Sequence, residues 1–346
     1  MSEFRQKQQK VTAMNVHITN LYGIAGTCAL AQNHTAQIAR QMGLLQMGLY
    51  HYPIQSDTDG ELNSRLDGIV SALQYGDVVI FQSPTWNDIR YDRILIRKIK
   101  RYADVKVILW VHDVIPLMFD SGEKNLKEAI EVYNCADLLI LPSAKMYQVL
   151  RQYGLSEKRV LYQQVWDVMN TMILPKPECL RRMIFTGEPE RFSFLNHWNG
   201  SVPIDLFSSA RADVEAGSVR WHSRISMTEL LLEQARGGLG LVWPQDSQCD
   251  YYGMNQSYKF GTFLSSGIPV IVKKGVTAEQ LVREQRLGFV VSSLEEAAEI
   301  VTSLSPEEYR TITDHMKPFC ELIRGGWFTR KLLAEAIVAV QSSPSC

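Results

Sequence analysis

Lys259 sits in the segment Gln256-Ser257-Tyr258-Lys259-Phe260-Gly261-Thr262-Phe263-Leu264-Ser265-Ser266-Gly267-Ile268-Pro269-Val270, which reads as a polar start, a short helix and a buried strand. A helix begins with unpartnered N–H groups and positive potential, so a lysine in its first turn is unfavourable unless an anion such as a diphosphate neutralises it. The alternative is a lysine on a solvated face. Small residues at Ser265, Ser266 and Gly267 let such a helix pack close to a sheet and aim its start at a cleft. Arg191 follows an expected strand at Met183 to Thr186 and the turn Gly187-Glu188-Pro189-Glu190. Its guanidinium either makes paired contacts to phosphate oxygens or forms a surface pair with Glu188 or Glu190.

Proton transfer is the second chemistry the residues allow. His112-Asp113 ends the apolar run Val107 to Val111, where an imidazole or a carboxylate can be tuned to take a proton from a hydroxyl near neutral pH. Equally, His112 hydrogen-bonds a ligand or the loop, and Asp113 caps the turn before Pro116. Gly23-Ile24-Ala25-Gly26-Thr27 joins a first strand to a helix; its glycines admit a ligand to the backbone, and Thr27 either caps the helix or donates to phosphate. The spacing is not Gly-x-Gly-x-x-Gly, which argues against NAD. Trp86 offers a stacking face and Asn87 a hydrogen-bonding amide for a sugar, whereas Trp110, Trp166, Trp198, Trp221, Trp243 and Trp327 read as core. The remaining histidines share no spacing, and Ser193 and Cys28 lack the cue of a nucleophile with an orienting base. No His, Cys and carboxylate cluster suits a metal, so none is expected.

These residues need elements to position them. From Met14, short aliphatic runs alternate with amphipathic segments, the pattern of β-α units around a parallel sheet. Strands are expected at Asn15 to Thr19, Gly48 to Tyr52, Asp77 to Gln82, Lys106 to His112 and Leu138 to Leu141, with helices near 28–42, 60–74, 89–102, 125–134 and 143–153. Leu174-Pro175-Lys176-Pro177-Glu178 disfavours helix and central strand alike and marks a boundary. A second alternation follows at Arg182 to Thr186, Val202 to Ser208, Ser218 to His222, Gly240 to Trp243, Ile268 to Val272 and Phe289 to Val291. The expected division is 14–173, 178–327 and a C-terminal helix within 328–346 that can pack on either half, with 1–13 a leader or flexible arm. Open parallel sheets bind ligands beyond the carboxyl ends of their strands, so two of them facing each other make one deep cleft.

Composition agrees with a two-domain globular chain. Its 346 residues exceed what one core usually serves, and 46% are hydrophobic. The 36 basic and 37 acidic residues leave a formal charge of -1, so no global positive field favours nucleic acid or an anionic membrane. No apolar run is long enough to cross a bilayer. Six scattered cysteines without a C-x-x-C pair point to reduced thiols and a cytoplasmic setting.

The Lys259 segment resembles the nucleotide-sugar-binding half of GT-B glycosyltransferases, in which two Rossmann-like domains face each other. Many retaining members carry a carboxylate three positions after the lysine, where this chain has Thr262. The runs from Asp77 to Asn87, Val111 to Phe119, Gly187 to Phe194 and Gly237 to Trp243 are similar, in order, to Gtf3-type bacterial enzymes that extend O-linked GlcNAc on serine-rich repeat adhesins. That resemblance implies an α/β GT-B fold and a UDP-sugar donor, with glucose the first choice and GlcNAc or galactofuranose alternatives. It also implies a GlcNAc-modified polypeptide acceptor, no cofactor or metal, and a homo-oligomer, commonly a tetramer. A non-catalytic glycan-binding or chaperone subunit is the competing class. For the site it implies nucleotide-sugar contacts from Thr27, Gly187, Glu190, Arg191, Arg224, Tyr258, Lys259, Gly261 and Thr262, with Arg224 stacking on uracil or reaching phosphate where relatives carry an aromatic. Trp86 and Asn87 would serve the acceptor, and Asp113 or His112 would be the base.

Overall fold

The computed structural model describes residues 14–119, 122–211 and 218–342; the expected leader and the last residues of the expected C-terminal helix lie outside them. The first unit runs β1 (Val16–Tyr22), α1 (Thr27–Gln41), β2 (Leu45–Tyr50), α2 (Asp59–Val70), β3 (Val78–Ser83), α3 (Ile89–Ile99), β4 (Lys106–Val111), α4 (Ile115–Met118), α5 (Glu123–Asn134), β5 (Leu138–Leu141), α6 (Ala144–Gln152) and β6 (Arg159–Tyr162). Its strands form one parallel sheet in the order β2-β1-β3-β4-β5-β6. The central strands β3 and β5 are buried along their whole length, as apolar runs covered by helices on both faces must be.

The second unit runs β7 (Glu178–Thr186), β8 (Ile204–Ser208), β9 (Val219–Ser223), α7 (Met227–Gln234), β10 (Gly237–Val242), α8 (Cys249–Tyr252), α9 (Tyr258–Ser266), β11 (Val270–Lys273), α10 (Ala278–Gln285), β12 (Gly288–Val291), α11 (Leu294–Ser303), α12 (Pro306–Gly325) and α13 (Trp327–Gln341). Its sheet order is β12-β11-β10-β7-β8-β9, again parallel. Two facing Rossmann-like sheets of this kind are the GT-B architecture.

Two differences from the expected elements have local causes. Strand β6 is missing from the expected set because Arg159-Val160-Leu161-Tyr162 is a short, half-exposed edge strand without a continuous apolar run. Trp327 is 58% exposed at the start of α13 rather than core, because the buried face of that helix is Leu332, Leu333, Ala336 and Val340. That face crosses back onto α1, β4 and β5, so the last helix belongs with the first sheet.

Each sheet has a switch point where neighbouring strands send their connections to opposite faces. In the first it lies between β1 and β3, in the second between β7 and β10. Loops leave the carboxyl ends of the strands there without meeting, which opens a crevice in each sheet. The segment after β6 ties the units together: Trp166 Nε1 donates to the Gln256 carbonyl at 3.1 Å, and Ser265 Oγ donates to the Val168 carbonyl at 2.7 Å.

Candidate active site

The two crevices face each other across one cleft of about 770 Å³. Thr27, Trp86, His112 and Asp113 line it from the first unit, and Gly187, Glu188, Arg191, Arg224, Lys259 and Thr262 from the second. Helices α2, α3, α6, α7, α11 and α12 each start with a side chain accepting from their backbone. Helices α1 and α9, whose starts line the cleft, begin without one, so their first N–H groups remain available to a ligand. Gly26 occupies the cap position of α1, which leaves Thr27 one residue inside the helix rather than capping it.

Lys259 lies in the first turn of α9. Its Nζ stands 4.2 Å from the Phe192 ring centroid and 4.9 Å from that of Phe185, and no carboxylate pairs with it among the described residues. Burial, with Arg191 adding a like charge nearby, pushes its pKa down to about 7. Arg191 is not paired with Glu188 or Glu190, which excludes the surface-pair alternative; its Nε donates to Gln248 Oε1 at 3.3 Å. Gly187 makes this corner possible: at φ 157° it lets Phe192 fold beneath it, and an added Cβ would meet that ring at 2.7 Å. Glu188 accepts from the backbone N–H groups of Ser209 and Ala210, and Arg224 beside it helps hold its pKa below the usual range.

Across the cleft, Asp113 does not cap its own turn. Its Oδ1 accepts from Tyr251 Oη at 2.9 Å and Asn255 Nδ2 at 2.8 Å, both from the second unit. Burial raises its pKa to about 6, opposed by those two hydrogen bonds and by Arg191. His112 is buried between Trp110 and Trp166, with neither ring nitrogen hydrogen-bonded. Desolvation pushes its pKa down to about 3, so it is neutral at physiological pH and a far weaker base than Asp113.

Not every expected residue reaches the cleft. Glu190 is exposed and outside its lining. Gly261 is in α9 but faces the interdomain segment, where a Cβ would lie 2.2 Å from the Trp166 carbonyl oxygen. Asn87 spends its amide on the backbone of Tyr52 and Tyr50, shaping a loop instead of offering itself to a ligand. Trp86 does line the cleft, at φ 60° and with its buried Nε1 unpartnered. Tyr258 lines it too, but its hydroxyl is shared with His34 Nδ1. Thr262 Oγ1 is turned to the Lys259 carbonyl at 2.7 Å, so it does not replace the missing carboxylate.

Tyr251, Asn255, Glu188 and Cys28 line the site without having been singled out for it. The chain's Asp57-Thr58-Asp59 triplet, an Asp-x-Asp pattern passed over in the sequence, is not metal-ready. Asp57 pairs with Arg65 and Asp59 with Arg90 at the start of α2. Among the described residues, no three His, Cys, Asp or Glu side chains group closely enough to hold a metal ion.

Comparison with known proteins gives the family and the fold. Family models described as the glucosyltransferase 3-like N-terminal and C-terminal domains match residues 15–165 and 183–336. Glucosyltransferase 3 of Streptococcus gordonii is 42% identical over 335 residues, covering 95% of this chain and all of the relative. Glucosyltransferase 3 of Streptococcus parasanguinis is 39% identical, covering 94% and 98%. Among solved structures, Anabaena HepE in complex with UDP and glucose superposes with a TM-score of 0.64 at 14% identity, covering 94% of this chain and all of that one.

Proposed function

The chain belongs to the glucosyltransferase 3-like family, and from that premise we propose that it moves glucose from UDP-glucose to GlcNAc already attached to Ser or Thr of a serine-rich repeat adhesin. Membership over nearly the whole length makes it a UDP-sugar-dependent hexosyltransferase. Glucose follows the names of the streptococcal relatives, and the acceptor follows the Gtf3-type resemblance of the sequence. The same resemblance supports a homotetramer, and the scattered cysteines support a cytoplasmic setting.

One observation carries the assignment of roles: Lys259 and Arg191, both without a carboxylate partner, line the same cleft as the raised-pKa carboxylate of Asp113. In this reading Lys259, Arg191 and the free amides of α9 neutralise the diphosphate, work that a metal ion does in other transferases. Thr27 donates to it from the opposite wall. Gly187, Tyr258 and Thr262 shape the donor pocket, and Arg224 stacks on the uracil beside Glu188. Trp86 packs on the acceptor sugar. The acceptor hydroxyl oxygen bonds to the anomeric carbon as the bond from that carbon to the β-phosphate oxygen breaks. UDP leaves with the electron pair, and the hydroxyl proton passes to Asp113.

A donor panel with a GlcNAc-peptide acceptor, read by mass, tests the reading. A gain of one hexose from UDP-glucose is expected. Transfer only from UDP-GlcNAc or UDP-galactofuranose would reassign the donor. Absence of UDP binding with retained glycopeptide binding would identify a non-catalytic glycan-binding subunit instead.

A further inference from the structure

Asp113 lies two residues past the end of the first unit's strand β4, yet its carboxylate is held by groups from the second unit. Tyr251 Oη donates to Oδ1, accepts from the Val114 N–H at 3.1 Å, and also accepts from Asn255 Nδ2 at 3.0 Å. With the bond from Asn255 Nδ2 to Asp113 Oδ1, four hydrogen bonds therefore fix the carboxylate, the backbone next to it and their two partners relative to one another. The anchor is firm, because Tyr251 and Met254 are embedded in the first unit's apolar core, and Ser143 Oγ donates to the Met254 carbonyl at 2.7 Å. Segment 249–256 is thus a finger of the donor-binding unit inserted under the acceptor side. It leads directly into α9, which carries Lys259.

We propose that Tyr251 and Asn255 are positioning residues that assemble the general base, orienting Asp113 and stabilising its ionised form only while the two units are docked. The inference rests on the reading of Asp113 as the base. A carboxylate accepting two hydrogen bonds keeps its charge more readily than one buried without them. Separation of the units breaks both bonds and removes Arg191 from the neighbourhood, so the base takes its place only when the donor wall has closed on it. The groups facing Asp113 are Cys28 of α1, Tyr133 of α5, Tyr252 of α8 and Arg191, besides Tyr251 and Asn255. The thiol and phenols are neutral between pH 5 and 8, since their pKa values are raised. Lys259, whose pKa is lowered to about 7 in the same cleft, is held charged by the diphosphate at saturating donor, so the acid limb measured there reports on Asp113.

The test is the pH dependence of kcat/KM for a GlcNAc-peptide at saturating donor, in wild type, Tyr251→Phe, Asn255→Ala and Asp113→Asn, with UDP affinity and thermal midpoint measured alongside. Each positioning variant should move the acid limb upward by about 0.5–1 pH unit, making turnover roughly 3–10-fold slower below the limb and close to wild type above it. A loss that is equal at every pH, or an unmoved limb, would overturn the proposal. Two variants guard against one that fails to fold, which the thermal midpoint would reveal. If Asp113→Asn abolishes the acid limb while Tyr251→Phe and Asn255→Ala leave it in place, this inference alone fails. If Asp113→Asn keeps both limb and rate, the base reading itself fails.

Discussion

Lys259 shows how burial sets up a binding device. With its pKa lowered to about 7 and no anion beside it, the free protein holds it partly neutral above neutrality; a diphosphate restores the full charge. The sign follows: UDP binding takes up a proton between about pH 7 and 9, and affinity falls as pH rises through that window. Calorimetry in two buffers of different ionisation enthalpy should show that uptake. Lys259→Ala should abolish it and weaken UDP binding and transfer about 10-fold to 1000-fold while leaving the fold intact. Wild-type binding without any buffer dependence would remove Lys259 from the phosphate site. Lys259 and Arg191 could be picked out as cleft cations from the sequence because one stands in the first turn of a helix and the other follows a strand and a turn, and both do line the cleft. Asp113 was legible as a candidate, but its setting was not. Its hydrogen-bond partners lie 138 and 142 residues further along the chain, and no local pattern encodes such a meeting. For the same reason acceptor and donor chemistry are not cleanly separable at Asp113, which Arg191 already influences from the donor side.

Secondary structure was legible where a strand is an uninterrupted apolar run, as at β4 and β5, and less so at edges such as β6. Helix α9 shows what spacing alone misses. Gly261 was expected among the nucleotide-sugar contacts, yet it lets the helix approach the Trp166 backbone. Gly261→Ala should therefore destabilise the protein by about 1–3 kcal/mol, and also weaken UDP binding because the start of α9 must shift. Gly68 is the control. It lies on the exposed side of α2 with nothing within 4 Å of an added Cβ, so Gly68→Ala should raise stability by about 0.5–1 kcal/mol. Denaturant midpoints of the two variants should move in opposite directions; movement in the same direction would remove the packing explanation for Gly261.

Two β-α alternations separated by a proline-rich stretch were enough to indicate two facing sheets, because strand period and punctuation are local properties. How the sheets meet is not local, and the contacts across the cleft decide the chemistry. The chain carries a formal charge of -1, so a nucleoside diphosphate is not drawn in by the protein as a whole. Its charge must be met inside the cleft. Three cations, Lys259, Arg191 and Arg224, and two uncapped helix starts face that cleft, whereas the carboxylates that line it already accept hydrogen bonds: Asp113 from Tyr251 and Asn255, Glu188 from the Ser209 and Ala210 backbone. A divalent ion needs several free oxygen ligands in one place, and the Asp57 and Asp59 carboxylates are paired with Arg65 of α2 and Arg90 of α3. Transfer should therefore continue at an undiminished rate in EDTA, with unchanged KM for the UDP-sugar. A chelator-sensitive rate restored by manganese or magnesium would mean that leaving-group charge is met by a metal, and the roles given to Lys259 and Arg191 would have to be withdrawn.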